Sequence, residues 1–229
     1  FRSNVGKDWD LRIAGSTFAT GYSTLPVGGA GTTVLPGGVL RMGEFYDYWG
    51  PNNPNGPITV MTNGLVQFSG AGNMGCSKPY YLQGGAITNE TSSNNLLYKL
   101  YMRDGATFSG VGVGVGFKDY YNAWSFIDVD GTIPSFFTAE TLMIGFQYPA
   151  GNNTPIGVRL IVADVTGDDA TDFTLASRII ERENVNLFLE GYRSNLGLWK
   201  QGSGTLELTG AGSLCTNGVF KLEAGTVRL

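Results

Sequence analysis

The sequence predicts an all-β chain built as a parallel β-helix (a β-solenoid) with looped insertions; a β-sandwich or jelly roll is the alternative. Three observations carry this. Glycine supplies 35 of the 229 residues and charged residues only 15%, against roughly a quarter charged in average domains. Apolar residues make up 42% and alternate with polar ones in short runs. One phrase also recurs: a Gly or Asn-Gly turn, an alternating apolar run, then a second small-residue turn.

The phrase occupies residues 37–43, 63–72, 104–110, 203–212 and 217–225. Each copy holds one short strand. Side chains of a strand alternate between its faces. Leu206 and Leu208 therefore share one face, and Thr205, Glu207 and Thr209 the other. Phe220 and Leu222 likewise oppose Lys221 and Glu223. One face suits a core and one suits water. The Gly and Asn-Gly steps permit the positive φ of sharp corners.

The copies start at uneven intervals: 26 residues from Gly38 to Gly64, 41 to Gly105, 99 to Gly204 and 14 to Gly218. A solenoid with looped-out insertions gives such spacing, and a sandwich of hairpins also gives short strands between turns. Residues 46–57 read as a loop, since their prolines cannot hold a ladder. Residues 118–124 read as a loop or strand edge, and 152–155 as a turn. Residues 176–184 suit a helix or a strand equally. Residues 1–57 form an N-terminal β- and loop-rich segment or cap, and residues 58–229 the solenoid.

Net charge is −4 and the pI about 4.8. The 15 basic residues are dispersed, whereas phosphate binding needs them clustered. Nucleic acid is therefore not an expected partner. No apolar run approaches the ~20 residues of a membrane-spanning helix. The chain starts at Phe1 without an initiator Met and reads as a segment of a longer product.

Residues 198–211 read Leu-Trp-Lys-Gln-Gly-Ser-Gly-Thr-Leu-Glu-Leu-Thr-Gly-Ala, and 224–229 read Ala-Gly-Thr-Val-Arg-Leu. This stretch resembles the autotransporter-associated β-strand repeat of bacterial passenger domains. That family's pattern is Leu-Xaa-Lys-Xaa-Gly-Xaa-Gly-Thr-Leu-Xaa-Leu-Thr-Gly-Ala, closed after a turn by Gly-Thr-Leu-Xaa-Leu. The connecting turn departs from the pattern, being longer and carrying Cys215. The resemblance covers residues 198–229 and implies a right-handed parallel β-helix displayed outside a Gram-negative cell, serving adhesion or surface coating. The rest of the chain matches only in style.

There is no histidine. Ser-His-Asp and Cys-His catalysis, most zinc sites and the usual general base are thereby removed. Carboxylate chemistry remains open. Asp128 and Asp130 stand two apart, as paired carboxylates on one strand face would, although a polar strand end before Gly131 explains them as well. Asp128, Asp130 and Gly131 look like the start of a calcium loop, but the later positions fail the EF-hand pattern. Asp164, Asp168 and Asp169 suit an ordinary acidic turn better than a looser calcium site.

Phe45, Tyr46, Tyr48 and Trp49, together with Tyr80, Tyr81, Tyr120, Tyr121 and Trp124, offer aromatic faces for sugars, or cap the core. The alternating Gly-Val run at 110–116 lacks the Lys-Ser/Thr of a phosphate loop and reads as a strand with one small face. Asn89-Glu90-Thr91 and Asn152-Asn153-Thr154 are sequons. In an uninterrupted solenoid Cys76 and Cys215 lie too many coils apart for an intrachain disulfide.

The expectation is a non-enzymatic, extracellular surface protein with no catalytic, cofactor or metal residues assigned. It serves as a structural or adhesive stalk or filament subunit, whose partners are stacked copies of itself or surface glycans. A carbohydrate-active or carbohydrate-binding domain is the alternative.

Overall fold

A computed structural model describes residues 11–20, 31–43, 56–70, 75–91, 96–111, 113–115, 126–144, 156–181, 196–212 and 219–229. In chain order the strands are β1 (Leu11–Ile13), β2 (Thr17–Thr20), β3 (Thr32–Val34), β4 (Val39–Met42), β5 (Ile58–Met61), β6 (Leu65–Phe68) and β7 (Gly75–Gln83). There follow β8 (Ala86–Asn89), β9 (Leu96–Arg103), β10 (Thr107–Gly110), β11 (Val113–Val115), β12 (Phe126–Asp130), β13 (Ser135–Phe137) and β14 (Thr141–Ile144). The last are β15 (Ile156–Val162), β16 (Phe173–Leu175), β17 (Arg178–Glu181), β18 (Leu196–Gln201), β19 (Thr205–Leu208), β20 (Val219–Leu222) and β21 (Thr226–Arg228). No helix occurs among the described residues.

Consecutive strands do not pair with each other. Apart from β11, β14 and β17, they alternate between two stacks, β1-β3-β5-β7-β9-β12-β15-β18-β20 and β2-β4-β6-β8-β10-β13-β16-β19-β21. Every ladder between these strands is parallel, and one isolated antiparallel bridge joins Met61 to Gly84. The chain therefore winds as a parallel β-helix. Each coil lays one strand on the first sheet, turns a corner, and lays one on the second. A sandwich of hairpins, the sequence's alternative, would pair neighbours antiparallel.

A third, shorter ladder joins the start of β9 to β11, β14 and β17, giving these coils another side. Residues 178–181, open between helix and strand from sequence, belong to it. The Gly-Val run is divided between β10 and β11. The 57/58 division falls between strands of one stack, as β3 pairs with β5 and β4 with β6.

The core follows from the alternation. Ile58, Tyr80, Leu100, Ile127 and Leu160 succeed one another in register inside the first sheet, all buried. Leu40, Val66, Ile87, Phe108, Phe137 and Leu175 form the facing column of the second. Aromatic rings lock the coils axially: Phe108 stacks on Phe137 at 4.6 Å, and Phe68 meets Tyr80 edge-on at 5.8 Å. In the final coil Phe220 and Leu222 continue the inner columns yet stay 42% and 51% exposed, because no described strand pairs beyond β20.

Candidate functional site

The ladder register gathers three of the sequence's candidates, Tyr81, Asp128 and Asp130, on the outer face of the first sheet. Tyr81, Tyr101 and Asp128 follow one another in one outward column. Arg103 and Asp130 are partners in the next. Asp128 and Asp130 do share a face, as their spacing predicts, but their circumstances differ. Asp130 caps the corner, accepting the Gly131 N–H at 2.7 Å and pairing with Arg103 at 3.5 Å. Asp128 is half-buried. Burial, then the Asp130 carboxylate, pushes its pKa above the ordinary value, and Arg103 opposes them.

The aromatic residues stack on each other. The Tyr81 and Tyr101 rings lie 4.4 Å apart at 10°, and Phe126 meets Tyr101 edge-on at 5.1 Å. Farther along, Trp199 has the Arg159 guanidinium 5.9 Å and the Lys221 ammonium 5.4 Å from its ring. The parallel ladder brings these neighbours on adjacent coils to bear on one ring. Tyr81 and Tyr101 thus turn a face toward each other rather than toward solvent. Tyr80 points inward, its hydroxyl 3.8 Å from Met42 Sδ. Phe45, Tyr46, Tyr48, Trp49, Tyr120, Tyr121 and Trp124 lie outside the described residues.

The acidic segment 164–172 is organised by its own backbone. Asp164 Oδ1 accepts Gly167 N–H at 2.8 Å and Asp168 Oδ1 accepts Ala170 N–H at 2.7 Å. Asp172, 0% exposed, anchors the insertion. Its Oδ1 accepts the N–H groups of Val165 and Thr166 and the Thr166 hydroxyl, each at 2.9 Å. Its Oδ2 accepts Thr205 N–H at 2.6 Å. Burial alone would raise the Asp172 pKa; the bonds from Thr205, Thr166 and Val165 outweigh it and hold the pKa below the ordinary value. Among the described residues no cluster of three or more His, Cys, Asp or Glu could hold a metal ion.

Sequence reasoning overlooked Asp172 and Lys200. Lys200 lies in the same inner column as Leu160 and is 0% exposed. Its ammonium donates to the carbonyls of Gln201 at 2.9 Å, Gly202 at 2.7 Å and Ala224 at 3.1 Å. Burial lowers its pKa, against the pull of Asp172. The available signal was the alternation itself, which puts Lys200 on the face of Leu198.

Of the sequons, Asn89 is buried, its Oδ1 facing Thr91 N–H at 3.4 Å, and 152–154 lie outside the described residues, as does Cys215. Cys76 belongs to β7, its side chain outside the description. No helix among the described residues is long and apolar enough to cross a membrane. Comparison with family models, curated proteins and solved structures found no match.

Proposed function

We propose that this chain is a structural or adhesive segment of an extracellular, bacterial surface protein, working as a stiff spacer. The observation that supports this reading is the continuous pair of parallel ladders from β1 and β2 to β20 and β21. With nine strands in each path and ~4.8 Å per coil, the stack converts chain length into axial length. Each coil is held chiefly by its neighbours. The resemblance of residues 198–229 to passenger-domain repeats supports the surface location, and stacked copies or surface glycans are the proposed partners.

The test is surface labelling of intact source cells with antibodies raised against the folded chain, paired with protease shaving. Labelling that shaving removes supports the reading. Labelling that requires permeabilised cells overturns it. Cleavage of a polysaccharide by the purified chain would replace it with the carbohydrate-active alternative.

A further inference from the structure

We propose that Tyr81 and Tyr101 are a site of oxidative modification, coupling to a dityrosine that joins β7 to β9 covalently on the outer face. The inference rests on ring geometry and is independent of where the protein acts.

Three observations carry it. The rings are close and nearly parallel, 4.4 Å between centroids and 10° between planes. Their backbones cannot slide, because Tyr81 and Tyr101 are ladder partners, flanked inside by the buried pairs Tyr80–Leu100 and Leu82–Met102. Both side chains are partly exposed, so an oxidant reaches them from solvent. Tyr80 has no such opportunity, being buried with its ring against Phe68.

The chemistry balances with hydrogen peroxide and a haem peroxidase as the oxidising system. Each phenol loses one electron and one proton, giving two phenoxyl radicals, while the peroxide O–O bond is reduced and two waters leave. The radicals couple through ring carbons ortho to the hydroxyls, forming one C–C bond. The near-parallel stack brings the two ring faces together. Each coupled carbon then sheds its hydrogen as a proton and its ring oxygen regains one, restoring two phenols as the rings swing edge-on. The net loss is two hydrogen atoms. The neighbouring groups suit a proton-coupled step. Burial, then Tyr81, then the Asp128 carboxylate raise the Tyr101 pKa, with Arg103 opposing. The phenol therefore keeps its proton until the electron leaves, and the proton then passes to solvent, to which the side chain is partly exposed.

The experiment treats the folded 229-residue chain, dilute, with haem peroxidase and hydrogen peroxide. It reads dityrosine fluorescence on the monomer fraction, then maps peptides by mass spectrometry. Tyr81→Phe and Tyr101→Phe keep the stacked rings and remove one phenol each; circular dichroism confirms that both fold. The expected result is a monomeric product lighter by two hydrogens, a linked peptide containing both residues, and loss of that product in either variant. The proposal is overturned if the link maps to other tyrosines or only between chains. It is equally overturned if the monomer's fluorescence survives both variants, or if no product forms while free tyrosine in the same mixture dimerises.

Discussion

Leu100 and Lys200 occupy one inner column, three coils apart, and both are completely buried. Around Leu100 the interior is aromatic and aliphatic: Tyr80 and Ile127 are its ladder neighbours. Around Lys200 three carbonyl oxygens converge, two from its own corner and one from the next coil. The same place in the coil therefore accepts opposite chemistries. The requirement is that each buried group be satisfied, and burial punishes only the polar atom without a partner.

Reciprocal changes test that contrast most severely. Leu100→Lys places an ammonium among apolar neighbours, and the chain is expected not to fold, since an unpaired buried charge costs several kcal/mol. Lys200→Met keeps the stem and loses the bonds to carbonyls. It is expected to fold with about 1–3 kcal/mol less stability in urea unfolding. Equal damage from both changes would break the comparison.

The corner that supplies Lys200's acceptors offers a second test. Gly202 and Gly167 have nearly the same backbone, φ +78° and +73°. A Cβ on Gly202 would collide with the Val162 backbone, whereas one on Gly167 meets nothing within 4 Å. Gly167→Ala should cost only the left-handed penalty, about 1–2 kcal/mol. Gly202→Ala should add overpacking of about 1–3 kcal/mol. Thermal melts of the two variants measure the difference.

Asp172 gives the comparison a pH dependence. Its folded pKa lies below the unfolded value, which is about 3.9. Its contribution is therefore complete above that pH and is lost as the pH falls through the folded value. Asp172→Asn should cost about 1–3 kcal/mol at neutral pH, because one acceptor becomes a donor facing Thr205 N–H. The variant's stability should also fall less steeply than the parent's in acid. A parallel fall would remove Asp172 as the cause.

The smallest effect is expected outside. Asp128 has a raised pKa, so its folded form favours the proton and its ionised form costs stability at neutral pH. Asp128→Asn should stabilise by roughly 0.5 kcal/mol, seen as a slightly higher melting temperature at pH 7 and no gain in acid, where Asp128 is itself protonated.

Much of the fold was legible because period-2 alternation and glycine corners are local properties. The phrases at 37–43, 63–72, 104–110 and 203–212 contain β4, β6, β10 and β19, all of the second sheet. The phrase at 217–225 contains β20, of the first. That division was invisible because both sheets share one alternation, and only pairing distinguishes them. The inner place of Lys200 was obscured by its charge, which suggests solvent until the converging carbonyls are known. The Tyr81–Tyr101 stack was half visible: Tyr81 stood among the aromatic candidates, but its partner emerges only from the coil register.

The coils differ in length while their parallel pairing persists. Leu65 and Ala86 are partners 21 residues apart, as are Ala86 and Thr107, whereas Phe136 and Thr174 are partners 38 apart. Circumference varies, and each coil still pairs with the next. Extra sequence between strands leaves the pairing in place, and Asp172 fastens the 164–172 segment both to itself and to the start of β19 on the next coil. For a protein engineer, the 164–172 turn is a mounting point for a grafted peptide, provided that Asp172 keeps its bonds to Val165, Thr166 and Thr205.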